Sequence, residues 1–140
     1  MGNHFTDVIQ KDQRYLSTKS VTDRTLLEPK TREAVEAIIA DAKTMGVSLM
    51  SWETFRSQPR QEQLFTEGRT KLKKVGVHHY GLACDIVREV NGKPSWDGDF
   101  SIIGLLAKKH GLIWGGDWKT FPDAYHVQRV RVADQPKLFA

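Results

Sequence analysis

The sequence predicts a small α+β domain in which helices flank a central antiparallel sheet. Three observations predict it. The chain has 140 residues, 39% hydrophobic and 27% charged, which suits one globular domain able to bury a core without covalent staples. A helical apolar period in the first half gives way to short alternating runs mixed with a further helix. Asn91-Gly92 stands between two strand-like runs, a strong hairpin signal.

The elements follow in order. Residues 1–27 are polar and irregular, with short apolar punctuation. Pro29 suits a first helical turn, Val35, Ile38, Ile39, Ala42 and Met45 recur at helical spacing, and Gly46 reads as the C-terminal cap. VSLMSWETF (47–55) alternates and is rich in β-formers, so a strand is expected. The chain then turns at Pro59 into a second helix ending near Gly68, and 70–81 reads as loop. LACDIVREV (82–90) is a strand, and KPSWDG returns beside it after the Asn91-Gly92 turn. DFSIIGLLAKKHG (99–111) is an amphipathic helix, with Asp99 near its start and Lys108, Lys109 and His110 near its end, as the helix dipole favours. LIWGGDW (112–118) and HVQRVRV (126–132) read as two more strands. No repeat or linker divides the chain, so residues 1–140 form one expected domain.

Composition excludes several classes. Cys84 is the one cysteine, so no intrachain disulfide forms. Strand alternation turns it into the core as an inert thiol. No apolar run is long enough to span a membrane, and residues 1–16 lack the apolar stretch of a signal peptide. A match to the myristoylation pattern at Gly2 and Thr6 is read as chance, so no membrane anchor is expected. The net charge of +4 mildly favours a polyanionic partner such as an acidic cell wall. No basic block with interleaved aromatics marks a nucleic-acid surface.

The chemistry concentrates in His78-x-x-Gly81-x-Ala83-x-Asp85. A zinc site needs nitrogen and carboxylate donors converging on one point, with one position left open when the site is catalytic. His78 comes from a loop and Asp85 from a strand, Gly81 permits a sharp turn, and Ala83 shares the face of Asp85. These small residues would leave space for the metal and substrate. FPDAYHVQ offers His126 as a third ligand. Asp123, three residues earlier, can sit beside a metal without ligating it, take a proton from water and pass it to a leaving amine.

This constellation resembles the zinc D-Ala-D-Ala carboxypeptidases and L-Ala-D-Glu endopeptidases, VanY-like enzymes that cut peptidoglycan stem peptides and that include many phage endolysins. The family's first motif is S-x-H-x-x-G-x-A-x-D. Here His78, Gly81, Ala83 and Asp85 match, and Gly76 stands in place of the serine. The second motif, a carboxylate two residues short of a histidine, is matched by Asp123 and His126. An aromatic followed by Arg-Ser, with a glutamine soon after, is matched by Phe55, Arg56, Ser57 and Gln63. GLIWGGDW (111–118) is typical of the endopeptidase branch. The likeness covers about residues 30–130. Four fixed residues at the spacing of the first motif arise by chance on the order of once per 10⁵ start positions, and here several motifs occur in the right order.

The resemblance implies a hedgehog/DD-peptidase-like fold and one Zn²⁺ per chain held by His78, Asp85 and His126. It implies that Asp123 is the general base and then acid, and that Arg56 holds the substrate carbonyl and stabilises the oxyanion. The motif register selects His78 over His79, which is left to pack or hydrogen-bond nearby. Ser57 and Gln63 would join Arg56 along the substrate, with Trp114 and Trp118 as core or cleft wall beside it. Asp117 could stand in the cleft with no ligand role, while His4 and His110 read as a tail and a helix-end residue. The expected substrate is a peptidoglycan stem peptide, cut at the L-Ala-D-Glu bond as an endolysin-type endopeptidase does, by a monomer. It would accumulate in the host bacterial cytoplasm and reach the wall after release. A D-Ala-D-Ala carboxypeptidase or dipeptidase with the same site is the alternative. A zinc-holding binding module without turnover is another, against which Asp123 and Arg56 argue.

Overall fold

The computed structural model describes residues 3–69, 77–119 and 122–131, the side chains of Val77 and His79 excepted. Gly2, the 70–76 part of the expected loop with Gly76, the side chain of His79, and the end of the 126–132 run lie outside the described residues.

Helix α1 spans Pro29–Thr44, with Pro29 in its first turn and Gly46 beyond its end at φ 83°. Glu28 caps it, its carboxylate accepting from the amides of Lys30 and Thr31. Strand β1 is Leu49–Ser51, shorter than the alternation predicted. Helix α2 (Gln58–Thr66) carries Pro59 in its first turn, where the sequence places the turn into it, and is capped by Ser57. Strand β2 (Ala83–Val90) turns through Asn91 and Gly92, both at positive φ, into β3 (Lys93–Ser95). Such a turn matches the twist of the two strands it joins. Helix α3 (Ser101–Lys109), β4 (Ile113–Trp114) and β5 (His126–Gln128) follow among the described residues. The sheet is antiparallel throughout, ordered β1-β2-β5-β4, with β3 paired to the far end of β2.

The two faces of β2 divide the labour. Cys84 and Ile86, with Val127 opposite Cys84, join a core with Val35, Ile38 and Ala42 of α1 and Ile103, Leu106 and Ala107 of α3. Cys84 is fully buried, and burial pushes its thiol pKa up, as expected of an inert thiol. Each large apolar side chain buried this way contributes roughly 1.5–3 kcal/mol, against roughly 1 kcal/mol for a helix cap. The apolar face therefore decides which side of β2 turns inwards. By alternation Ala83 and Asp85 are left on the other face.

Residues 3–27 do more than the irregular composition of this segment predicts. Phe5–Ile9 forms one π-helical turn and Arg24–Leu26 a 3₁₀ turn. Ile9, Val21 and Leu26 bury with Phe55 in a second apolar cluster. His4, expected as a tail residue, bonds the carbonyl of Leu26 at 2.8 Å. These apolar residues lack a helical or strand period, so only the tertiary packing brings them together.

Gly81 is held tightly against this segment. Its φ is +72°, and a Cβ there would lie 2.5 Å from the Leu26 carbonyl oxygen and 3.0 Å from the Glu28 amide nitrogen. Its own carbonyl accepts from that Glu28 amide at 2.9 Å. The expectation that Gly81 clears space for a metal is thus corrected: its missing side chain admits the backbone before α1. Gly81→Ala is expected to destabilise the metal-free protein by about 2 kcal/mol or more, from left-handed backbone strain plus the backbone collision. Chemical denaturation should show a lowered midpoint at unchanged slope.

Candidate metal centre

The register between β2 and β5 builds the centre. Asp85 stands directly across from His126, and Ala83 across from Gln128. Directly opposed residues of an antiparallel pair share a face at close range. His78 arrives from the 3₁₀ turn Val77–Tyr80, which precedes β2. Its carbonyl accepts from the Arg56 amide at 3.2 Å.

Three donor atoms converge. His78 Nε2 lies 3.1 Å from His126 Nδ1 and 3.5 Å from Asp85 Oδ1, and His126 Nδ1 lies 3.7 Å from Asp85 Oδ1. Bond lengths of about 2.0–2.1 Å in a tetrahedral zinc site place ligand atoms about 3.3 Å apart. The triangle therefore matches one face of such a tetrahedron. Asp85 Oδ1 is buried without a hydrogen-bond partner among the described residues, as is His78 Nδ1. A buried carboxylate oxygen left unpaired costs free energy unless a cation meets it. The donor set thus fits a divalent ion.

The charges around it agree. Burial lowers the His78 pKa, and the Arg56 cation lowers it further, so the imidazole is neutral and can ligate. For Asp85, burial acts upwards but His78 and His126 outweigh it, holding the carboxyl well below the usual range. Asp123 goes the other way: burial raises its pKa, and the Asp85 charge adds to that. Two neighbouring carboxyl groups are thereby pushed apart, one kept ionised and one made a better proton acceptor near neutrality.

The turn carrying Asp123 and His126 is held by the GLIWGGDW segment. Trp114 Nε1 donates to the Ala124 carbonyl at 2.8 Å, and the Asp123 amide donates to the Gly115 carbonyl at 2.9 Å. The Trp114 ring fits between Gly104 and Gly116, where a Cβ on either would come within 2.3 Å of it. Trp114 is therefore a strut behind the site: of the two readings, core or cleft wall, it takes the first, and its placing along the substrate is corrected. Trp118 is 37% exposed, with its ring centroid 5.0 Å from that of His126, so it does border the centre. Asp117 is exposed and pairs with Lys108 at 3.1 Å, and His110 bonds Asp41 at the end of α3, as a helix-end residue should.

Arg56 is fixed by partners the sequence did not single out. Glu53, 2% exposed, meets Arg56 Nη2 at 3.0 Å and Arg60 Nε at 2.9 Å. Gln61 Oε1 accepts from Arg56 Nη1 at 3.3 Å. The glutamine beside Arg56 is therefore Gln61, not the expected Gln63, which is exposed and bonds Glu67. Two residues along a helix turn about 200°, to the opposite face. Ser57 is 1% exposed: its hydroxyl accepts from the Arg60 amide and donates to the Ser17 carbonyl, so it caps α2 instead of lining the substrate path. The Trp52 amide donates to the Asp85 carbonyl at 2.7 Å, while the Asp85 amide donates to the Glu53 carbonyl at 3.2 Å. Two residues thus oppose one, the pairing of a β-bulge, which turns Glu53 towards the site. Gln128, also missed, accepts from His126 Nε2 at 2.6 Å through Oε1 and donates to the Val130 carbonyl at 2.7 Å through Nε2. Strand alternation from His126 was the available signal for it.

The shifts have a consequence for the metal-free protein. The His78 pKa is lowered from its ordinary 6.5, so as pH falls through that value the unfolded chain takes up a proton that the folded chain refuses. Asp85 and Glu53 are lowered from ordinary values of 3.8 and 4.5. Their stabilisation is present above those values and is lost as pH falls through the folded ones. Asp123, raised, acts in the opposite sense as one group against three. Denaturation midpoints of chelator-treated protein are expected to fall steadily from about pH 7 to about pH 4. A midpoint that held or rose over this range would contradict the charge assignment.

Comparison with known proteins fits this geometry. A family profile described as D-alanyl-D-alanine carboxypeptidase matches residues 70–129. The chain is 31% identical over 123 residues to the peptidoglycan L-alanyl-D-glutamate endopeptidase CwlK of Bacillus subtilis, covering 74% of each. It is 26% identical over 118 residues to the L-alanyl-D-glutamate peptidase of Listeria phage A118, covering 81% of this chain and 42% of that one. In fold it is similar to the L-Ala D-Glu endopeptidase ChiX of Serratia marcescens, with a TM-score of 0.66 at 23% identity over 86% of this chain and 96% of that one. The motifs in the sequence, the fold that carries them and the likeness to CwlK agree: the chain belongs to the M15 peptidase family.

Proposed function

We propose that the protein is a zinc-dependent peptidoglycan peptidase, an endolysin-type L-Ala-D-Glu endopeptidase, working as one domain over residues 1–140. The observation that carries this reading is the convergence of His78 Nε2, Asp85 Oδ1 and His126 Nδ1. Two imidazoles and one carboxylate are a donor set that suits zinc. The bond assignment rests on the relationship to CwlK and the phage A118 enzyme, both named for L-alanyl-D-glutamate cleavage.

His78, Asp85 and His126 would hold the ion. Zinc bound there supplies Lewis acidity, making water a nucleophile at neutral pH and polarising the scissile carbonyl. Asp123, with its raised pKa, takes a proton from the attacking water and returns it to the leaving amine. Arg56 aims its cation at the carbonyl oxygen as negative charge develops there. Glu53 and Gln61 keep that guanidinium in one orientation, so less freedom is lost when substrate arrives. Trp118 forms part of the cleft wall. The net charge of +4 suits an anionic wall. In this reading the protein is a monomer with one zinc that accumulates in the host cytoplasm and acts on the wall after release; the phage relative supports the lysin part of it. No described helix is long and apolar enough to cross a membrane.

The family profile's own description favours a second reading, D-Ala-D-Ala carboxypeptidase or dipeptidase. Digestion of purified wall followed by mass spectrometry of the products separates the two. New D-Glu amino termini are expected, whereas free D-alanine or its dipeptide would establish the alternative.

Variants test the roles. Asp123→Ala is expected to keep zinc while kcat/KM falls about 10²–10⁴-fold. His126→Ala is expected to lose both zinc and activity. Equal zinc loss in the two variants, read by elemental analysis, would make Asp123 a ligand and overturn its role as base. Arg56→Ala is expected to lower kcat by about 10²–10³-fold with zinc retained.

A further inference from the structure

We propose that Gln128 is a positioning residue of the metal centre: it holds His126 in the tautomer whose lone pair points at the ion. The inference deepens the function proposed above and rests on its metal-binding reading.

The argument runs along a chain of three groups. The Val130 carbonyl can only accept a hydrogen bond, and it lies 2.7 Å from the Gln128 side-chain amide. That end of Gln128 must be the NH₂ group. The other end is then the carbonyl oxygen, which again can only accept, and it lies 2.6 Å from His126 Nε2. His126 Nε2 must therefore carry the proton. In a neutral imidazole this leaves the lone pair on Nδ1, the nitrogen 3.1 Å from His78 Nε2 and 3.7 Å from Asp85 Oδ1. The opposite tautomer would set two lone pairs against each other at Gln128 and turn an N–H towards the place of the ion.

Gln128 is well placed for this. It is 4% exposed, so water does not compete for its amide. It lies two residues after His126 on β5, on the same face by alternation. Across the ladder from it stands Ala83. The small side chain in the 78–85 motif thus faces the Gln128 amide, where a larger one would crowd it. Histidines that bind metals commonly donate their second nitrogen to an acceptor of this kind, and loss of the acceptor typically weakens metal binding 10–100-fold.

The test uses the full chain and reads zinc affinity and tautomer, not activity. Gln128→Met keeps length and removes both hydrogen bonds, while Gln128→Glu keeps an acceptor for His126. Zinc dissociation constants come from chelator competition, and the His126 tautomer from ¹⁵N NMR of metal-free protein. Wild type is expected to show a proton on Nε2. Gln128→Met is expected to lose that preference and to bind zinc about 10–100-fold more weakly, and Gln128→Glu to restore the tautomer. An unchanged tautomer and zinc affinity in Gln128→Met would overturn the proposal, as would a proton on Nδ1 in metal-free wild type. The second result decides the matter even if Gln128→Met fails to fold. Failure of wild type itself to bind zinc would instead strike the metal-binding reading.

Discussion

The site depends on one strand register. Asp85 and His126 face each other because β2 and β5 pair antiparallel with those two residues in line. A slip of one position would turn either residue to the opposite face, into the apolar core. The same pairing sets Cys84 against Val127 in that core. Burial of the apolar face and assembly of the polar one are thus a single event. Roughly 1.5–3 kcal/mol per large buried side chain holds the register that brings the two ligands together, and these contributions come from residues that never touch the site.

The surroundings extend that constraint outwards. Trp114 and Gly115 hold the turn bearing Asp123 and His126 from behind. Gly81 locks the approach to β2 against the start of α1, where Glu28 also meets Arg129 at 2.9 Å. Glu53, buried beside the site, joins Arg56 to Arg60, which reaches back to Thr18 and Ser20. A buried carboxylate is tolerable only when paired, and two guanidinium groups meet that need. The result is a centre where the Glu53 and Arg56 charges are held before substrate arrives, as preorganised catalysis requires, while Asp85 Oδ1 is left for the ion.

Much of this was legible in the sequence, because ligand spacing and small-residue positions are local signals. His78, Asp85, Asp123, His126 and Arg56 all stand at or beside the centre. Other assignments failed where a direction in space mattered. Gln61 and Gln63 both follow Arg56 within two helical turns, but the helix turns only Gln61 towards it. Ser57 follows Arg56, yet its hydroxyl is taken up by the cap of α2. Trp114 and Trp118 look alike in the motif, yet only one stands clear of its neighbours.

The sequence by itself determined the fold class, the order of the helices and strands, the hairpin at Asn91-Gly92 and the residues that could bind a metal, since periodicity, turn chemistry and donor type are all written locally. Only the tertiary structure decided how those donors are held. Glu53, Gln61 and Gln128 act through contacts set by a bulge, a helix face and a strand pairing. Residues 3–27 found their place by closing an apolar cluster around Phe55. Contacts of this kind join segments far apart in the chain, and their geometry exists only once the sheet has set its register.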